Sequence, residues 1–154
     1  MCKVTVLMIT HNNEKGIGNC VQKILGQTLQ SLQLLIVDDC STDDTVTVLR
    51  KYESLHPERV TVLCNETNLY SRGEYVARQA VEHIRGEYIC ILDQDDSMDR
   101  DALREMYETA QDTGADVVSM DYKASYSDGS MSGESFQRMY NITIQFPFQK
   151  GTPY

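Results

Sequence analysis

The chain has 154 residues, 41% of them hydrophobic, and a formal net charge of −9. That length suits one domain with a core large enough to fold alone, and the acidic balance argues against nucleic-acid backbones and anionic membrane surfaces as partners. No apolar run approaches the ~20 residues that a membrane span needs, and the first strand-like segment follows at once with no signal-peptide pattern. Five cysteines, Cys2, Cys20, Cys40, Cys64 and Cys90, are dispersed with no metal-ligand spacing. They read as reduced thiols of a cytosolic chain. Cys64 and Cys90 lie in apolar strand contexts and Cys40 in a polar loop.

Strand and helix patterns alternate. Val4 to Ile9 is a short apolar run followed by polar Thr10-His11-Asn12-Asn13. From Lys15 to Leu29 the apolar positions Ile17, Val21, Ile24, Leu25 and Leu29 have helical spacing. Leu32 to Val37 is a second apolar strand that stops at Asp38-Asp39. Ser41, with Asp44 three residues on, resembles a capping box for a helix whose inner face carries Val46, Leu49 and Tyr52. Arg59 to Cys64 predicts a third strand, and Ser71 to Arg85 a helix with Gly86 at its C-terminal cap. Tyr88 to Leu92 is apolar on nearly every residue, so it predicts a strand buried on both faces. Asp99 can cap a helix that runs to about Thr113 and ends at Gly114. Ala115 to Met120 predicts a fifth strand. The order implies a parallel, doubly wound α/β sheet. Beyond Tyr122 the pattern weakens to a turn signal at Ser127-Asp128-Gly129-Ser130 and strand character at Ile142 and Ile144.

The chemistry concentrates where strands end. The fourth strand runs straight into Asp93-Gln94-Asp95-Asp96. Carboxylates so close repel one another unless something cationic sits between them, and a hard divalent cation with oxygen ligands is the natural candidate. A solvated turn needs no cation and is the alternative reading of an isolated Asp-x-Asp. His11-Asn12 and Asp38-Asp39 end the first and second strands. Parallel strands place such ends on one sheet edge. If the first strand lies between the second and fourth, all three clusters converge on one crevice, where open α/β sheets bind ligands.

Three stretches together resemble the family 2 glycosyltransferases with a GT-A fold: Val4 through Glu14, Ile36-Val37-Asp38-Asp39-Cys40-Ser41-Thr42-Asp43, and Gly86-Glu87-Tyr88 through Asp96. The resemblance covers about the first 120 residues. It implies a Rossmann-like, mainly parallel sheet flanked by helices. The implied reaction is metal-dependent, inverting sugar transfer from a nucleotide diphosphate sugar, a UDP-sugar, to a glycan or lipid-linked acceptor. It also implies a place in cell-surface polysaccharide biosynthesis, in the cytoplasm or at the inner membrane face. The implied cofactor is Mn²⁺ or Mg²⁺, held by Asp95 and Asp93. Nucleotide-sugar contacts fall to Thr10, His11, Asn12, Asp38, Asp39, Arg72, Arg78, Asp93 and Gln94. Among them, Asp39 takes the base, with its acceptor oxygen suited to the uracil imide N–H. Asp38 supports that loop or the base.

The sequence also departs from the family. Ile9 and His11 stand where its Pro and Tyr are usual, and Cys40 stands at its Gly. Cys40 would strain the loop if that position needs positive φ. Ala77-Arg78-Gln79 is the nearest match to an Ala-Arg-Asn run, and Arg72 is the other candidate for a phosphate contact. An inverting transferase needs a general base, and the acidic residues after the fifth strand, Asp121, Asp128 and Glu134, carry no context that marks one. The expectation is a donor-binding core over residues 1–122, with 123–154 opening an acceptor side that is cut short, and donor binding without transfer. Two alternatives are a Mg²⁺-binding receiver-like switch, for which Asp121-Tyr122-Lys123 is a weak match, and a non-catalytic nucleotide-binding module.

Overall fold

A computed structural model describes residues 1–72, 75–122 and 136–143. The strands are β1 (Val4–Thr10), β2 (Leu32–Asp38), β3 (Val60–Cys64), β4 (Tyr88–Asp93), β5 (Val117–Tyr122) and β6 (Phe136–Thr143), and the helices are α1 (Ile17–Leu25), α2 (Thr45–Leu55) and α3 (Ala102–Thr113). They form one six-stranded sheet in the order β3-β2-β1-β4-β6-β5. β1 pairs in parallel with both β2 and β4, and β2 with β3. β1 therefore does lie between the second and fourth strands.

The sheet is not uniformly parallel. β6 inserts between β4 and β5 and runs antiparallel to both. Its Ile142 pairs with Cys90 and Val118, so the strand character read at Ile142 is real, while Ile144 and the turn signal at Ser127–Ser130 lie outside the described residues. One sheet thus takes in backbone from both sides of residue 122.

Alternation along each strand assigns its side chains to two faces. Val4, Val6, Met8, Leu34, Ile36, Tyr88, Cys90 and Leu92 pack against α1, α2 and α3. Leu34, Ile36, Val6 and Met8 are fully buried, and each such side chain contributes about 1.5–3 kcal/mol of transfer free energy. The other face is thinner: Leu7, Leu35 and Val37 meet Val76, Ala77 and Ala80. All three α-helices thus cover one face.

The segment expected as a helix over Ser71 to Arg85 forms two 3-10 pieces instead, Tyr70–Arg72 and Arg78–His83. Sheet side chains pin its ends. Asp39 accepts the backbone N–H groups of Leu69 and Tyr70, and Gln33 Nε2 donates to the His83 carbonyl at 3.0 Å. Tertiary hydrogen bonds thereby override helix propensity. The short cover also explains why β4 is not buried on both faces. Ile89 packs beneath it, but Ile91 is 52% exposed.

Gly86 is no helix cap. An added Cβ would lie 2.3 Å from the Thr5 backbone nitrogen, so the chain needs a glycine to cross β1 this closely. The capping box at Ser41 does not form either. α2 starts at Thr45 with no side-chain cap at Asp44: Ser41 Oγ accepts the Asn12 N–H at 2.9 Å, and the Asp44 N–H goes to Glu14 Oε2 at 3.2 Å. Asp99 caps α3 only through its carbonyl, accepting the Ala102 N–H at 3.0 Å, and Asp101 stands at the N-cap. Gly114 ends α3 in the left-handed conformation, as its position predicts. Val48 rather than Val46 joins Leu49 and Tyr52 against the core. No helix among the described residues is long and apolar enough to cross a membrane.

Candidate active site

The carboxyl ends of β1, β2 and β4 open onto one cleft of about 340 Å³ lined by Ile9, Thr10, His11, Asp39, Asn68, Tyr70, Val76, Asp93, Gln94 and Asp95. The parallel register dictates this. Thr10 pairs with Asp38 and Ile9 with Asp93, so the residues that follow emerge side by side.

Asp39 is 1% exposed. Its Oδ1 accepts Asn65 Nδ2 at 2.7 Å and the Leu69 N–H at 2.9 Å, and its Oδ2 accepts the Tyr70 N–H at 3.0 Å. Burial pushes its carboxyl up, but these donors and the neighbouring His11 outweigh burial and hold it below the ordinary value. A depressed carboxyl contributes stability that is fully present above the unfolded value, about 3.9, and is lost as pH falls through the lower folded value. Melting temperature is therefore expected to drop as pH falls below about 4. Asp39→Asn, which removes one acceptor oxygen, should shallow that drop. Part of it should persist, because the carboxyls of Asp43 and Asp101 are likewise held low, chiefly by hydrogen bonds from Thr45 and Thr28. An acid limb unchanged in the variant would refute the anchoring role of Asp39.

His11 stands at the mouth of β1. Its Nδ1 is 2.9 Å from the Asp39 carbonyl oxygen, and its Nε2 is 3.0 Å from Asn12 Nδ2. The tautomer with hydrogen on Nδ1 satisfies both contacts. Asn12 turns away from the cleft wall. With φ 48 it adopts the left-handed conformation, and its Oδ1 accepts the Thr42 N–H at 2.8 Å. Asp38, 1% exposed, holds the Ser41 backbone N–H at 2.9 Å. Both residues therefore brace the loops after β1 and β2 rather than line the cleft. Cys40 does take positive φ, at 61, the strained conformation that its bulk made a concern.

Asp93 and Asp95 are exposed on the cleft, and Gln94 between them is half-buried. Asp96 closes a tight turn by donating its backbone N–H to the Asp93 carbonyl at 3.1 Å. Among the described residues no group of three His, Cys, Asp or Glu side chains is arranged to hold a metal ion. Two exposed carboxylates nevertheless form an oxygen donor set that suits Mg²⁺ or Mn²⁺, which complete their shells with water and substrate phosphates. Arg78 is exposed at the start of the second 3-10 piece and does not line the cleft, and the side chain of Arg72 lies outside the described residues.

Sequence reasoning did not single out Asn65, Asn68 and Tyr70. The signal was available. β3 is parallel to β2, so Asn65, directly after Cys64, had to emerge at the same sheet edge. Asn68 Nδ2 donates to the Asp39 carbonyl at 3.2 Å, and the Tyr70 ring is 82% exposed at the cleft.

A β3-β2-β1-β4 parallel core with acidic loops at its carboxyl edge and an antiparallel strand beyond defines an α/β fold of the GT-A type. The chain belongs to glycosyl transferase family 2, whose sequence profile matches residues 5–153, further than the first 120 residues on which the resemblance rests. It is 30% identical over 138 residues to the glycosyltransferase GlyG of Streptococcus pneumoniae, covering 86% of this chain and 45% of that protein. It is 30% identical over 123 residues to the poly(ribitol-phosphate) beta-N-acetylglucosaminyltransferase TarP of Staphylococcus aureus, covering 77% of this chain and 36% of that one. The chain thus spans less than half of each relative. Among solved structures, S. aureus TarS 1-349 in complex with UDP superposes with a TM-score of 0.65 at 26% identity, covering 76% of this chain and 34% of TarS. The mannosyltransferase PcManGT from Pyrobaculum calidifontis, in complex with GDP-Man and Mn2+, gives 0.67 at 28% identity over the same shares.

Proposed function

We propose that this chain carries the donor site of a transferase that moves a sugar from a nucleotide diphosphate sugar to a glycan or lipid-linked acceptor. The observation that carries the reading is the convergence of Asp39, Asp93 and Asp95 on one cleft. Family membership and the nucleotide and nucleotide-sugar complexes of the neighbours support it. Asp93 and Asp95 would hold Mn²⁺ or Mg²⁺. The bound cation would supply charge stabilisation for the nucleoside diphosphate leaving group, whose negative charge grows as the glycosidic bond breaks. A chain of net charge −9 would otherwise repel that group.

The base falls to the β2 end in this reading. Asp39 lines the cleft, and its Oδ2 accepts one N–H, from Tyr70, which leaves it further acceptor capacity. That capacity fits the imide N–H of uracil, where cytosine presents an acceptor instead. His11, with its ring held by Asp39 and Asn12, offers a face for stacking. Residues 1–122 then form most of the donor core, with β6 completing the sheet and the rest of 123–154 leading toward the acceptor side. No residue is assigned as general base. Of the acidic candidates, Asp128 and Glu134 lie outside the described residues and the side chain of Asp121 is not described.

Competition binding tests the base assignment. UDP is expected to displace a labelled nucleotide at lower concentration than CDP in the presence of Mn²⁺, and Asp39→Asn should narrow the gap. Equal affinities for UDP and CDP would contradict it. GDP belongs in the panel, because guanine also presents an N–H at that edge and PcManGT was solved with GDP-Man.

A further inference from the structure

Gln94 lies between the two exposed carboxylates, yet its side-chain oxygen and backbone carbonyl are held by β1 and α1. Its Oε1 accepts Thr10 Oγ1 at 2.5 Å, with the His11 backbone N–H at 3.4 Å. The thiol of Cys20 is directed at the Gln94 backbone carbonyl, as a donor to it. The location explains the need. The β1–β4 ladder ends with the pair Ile9 and Asp93, so Gln94 is the first residue that no strand pairing holds. Thr10, buried at the end of β1, and Cys20, on α1, take over where the ladder stops. One fixes the side chain of Gln94 and the other its backbone.

We infer that Thr10 and Cys20 are positioning residues that set the disposition of Asp93 and Asp95 by clamping Gln94 between β1 and α1. The inference rests on the reading of Asp93 and Asp95 as cation ligands. It gives Thr10 and Gln94, which also line the cleft, a role with Cys20 in supporting the ligands. Groups that orient metal ligands in this way tune metal affinity. The thiol must keep its proton to donate, and burial pushes Cys20 above its ordinary value, which keeps it protonated at neutral pH.

The test compares Cys20→Ala, Cys20→Ser and Thr10→Val by calorimetry with UDP in Mn²⁺, UDP in EDTA, and uridine, alongside melting temperatures. Cys20→Ala and Thr10→Val are each expected to weaken UDP binding in Mn²⁺ about five-fold, the effect of one lost hydrogen bond. Uridine binding should not change in Cys20→Ala and, since Thr10 lines the cleft, should change less than UDP binding in Thr10→Val, because uridine has no diphosphate to meet the cation. Cys20→Ser, which restores a donor, should recover most of the loss. Because Thr10 and Cys20 sit on different elements, either variant carries the test if the other does not fold. Mn²⁺-dependent UDP binding that survives all three substitutions overturns the inference alone, as does a parallel fall in uridine affinity, which marks general damage. Equal UDP affinity in Mn²⁺ and EDTA for the unmutated protein removes the cation reading and this inference with it.

Discussion

Asp95→Ala is expected to remove the Mn²⁺-dependent part of UDP affinity, while Asp96→Ala removes much less. Asp95 lines the cleft and lies within the turn that the Asp96 N–H and the Asp93 carbonyl close. A direct ligand should matter at least as much as the groups that support one, whose loss costs 10–100-fold, so a fall of about 100-fold in Mn²⁺ affinity is expected. The loss reaches UDP because the diphosphate then meets the negative charge of Asp93 and Asp96 without a cation between them. Asp96 is half-buried and absent from the cleft lining, so its removal should cost Mn²⁺-dependent binding less than loss of Asp95 does. Calorimetric titration of UDP with and without EDTA checks both variants. Equal losses for Asp95→Ala and Asp96→Ala would show that the cluster acts through summed charge rather than coordination.

The largest effect on stability is expected at Gly86. Its Cβ position lies 2.3 Å from the Thr5 nitrogen, 2.7 Å from the Tyr88 oxygen and 2.7 Å from the Val4 carbonyl carbon. All three are backbone atoms of paired strands, so no side chain can swing aside. The site also carries a buried polar network. Thr5 Oγ1 accepts the Gly86 N–H at 2.8 Å and donates to Gln33 Oε1 at 2.8 Å, and Gln33 also accepts the Arg85 N–H at 3.0 Å. Pushing residue 86 away weakens the bonds from the Gly86 and Arg85 N–H groups together. Gly86→Ala is expected to cost about 3 kcal/mol, the upper part of the usual overpacking range. For a chain this size that lowers the melting temperature by about 6–12 °C. A drop under about 2 °C would mean that the β4 entry relaxes, contrary to the packing argument.

Much of the site was legible because it depends on strand ends. Asp38-Asp39 and Asp93 to Asp96 each terminate an apolar run, and the alternation of strands with helical spacing implied parallel pairing. Those two readings suffice to put Asp39 and Asp95 at one edge. The roles of individual side chains were less legible. Asn12 and Asp38 sit at the expected positions, yet their oxygens hold Thr42 and Ser41 across the paired loops. A motif gives a residue's place in the chain but not which neighbour reaches its oxygens first. Thr10 and Gln94 were expected as nucleotide contacts, but that Thr10 and Cys20 both hold Gln94 gave no signal, since they lie 84 and 74 residues from it.

What the sequence determined alone is the first five strands, the common direction of β1 to β4, and the edge where polar residues collect. These follow from local periodicity and from where apolar runs stop. The tertiary structure alone decided three further things. Gly86 is required by the approach of β1, because the clash is with backbone more than 80 residues earlier. The segment from Tyr70 to His83 is 3-10 rather than α, because Asp39 and Gln33 draw its backbone onto the sheet. β6 enters between β4 and β5, because strand order depends on pairing partners distant in the chain, which residue-by-residue periodicity does not encode.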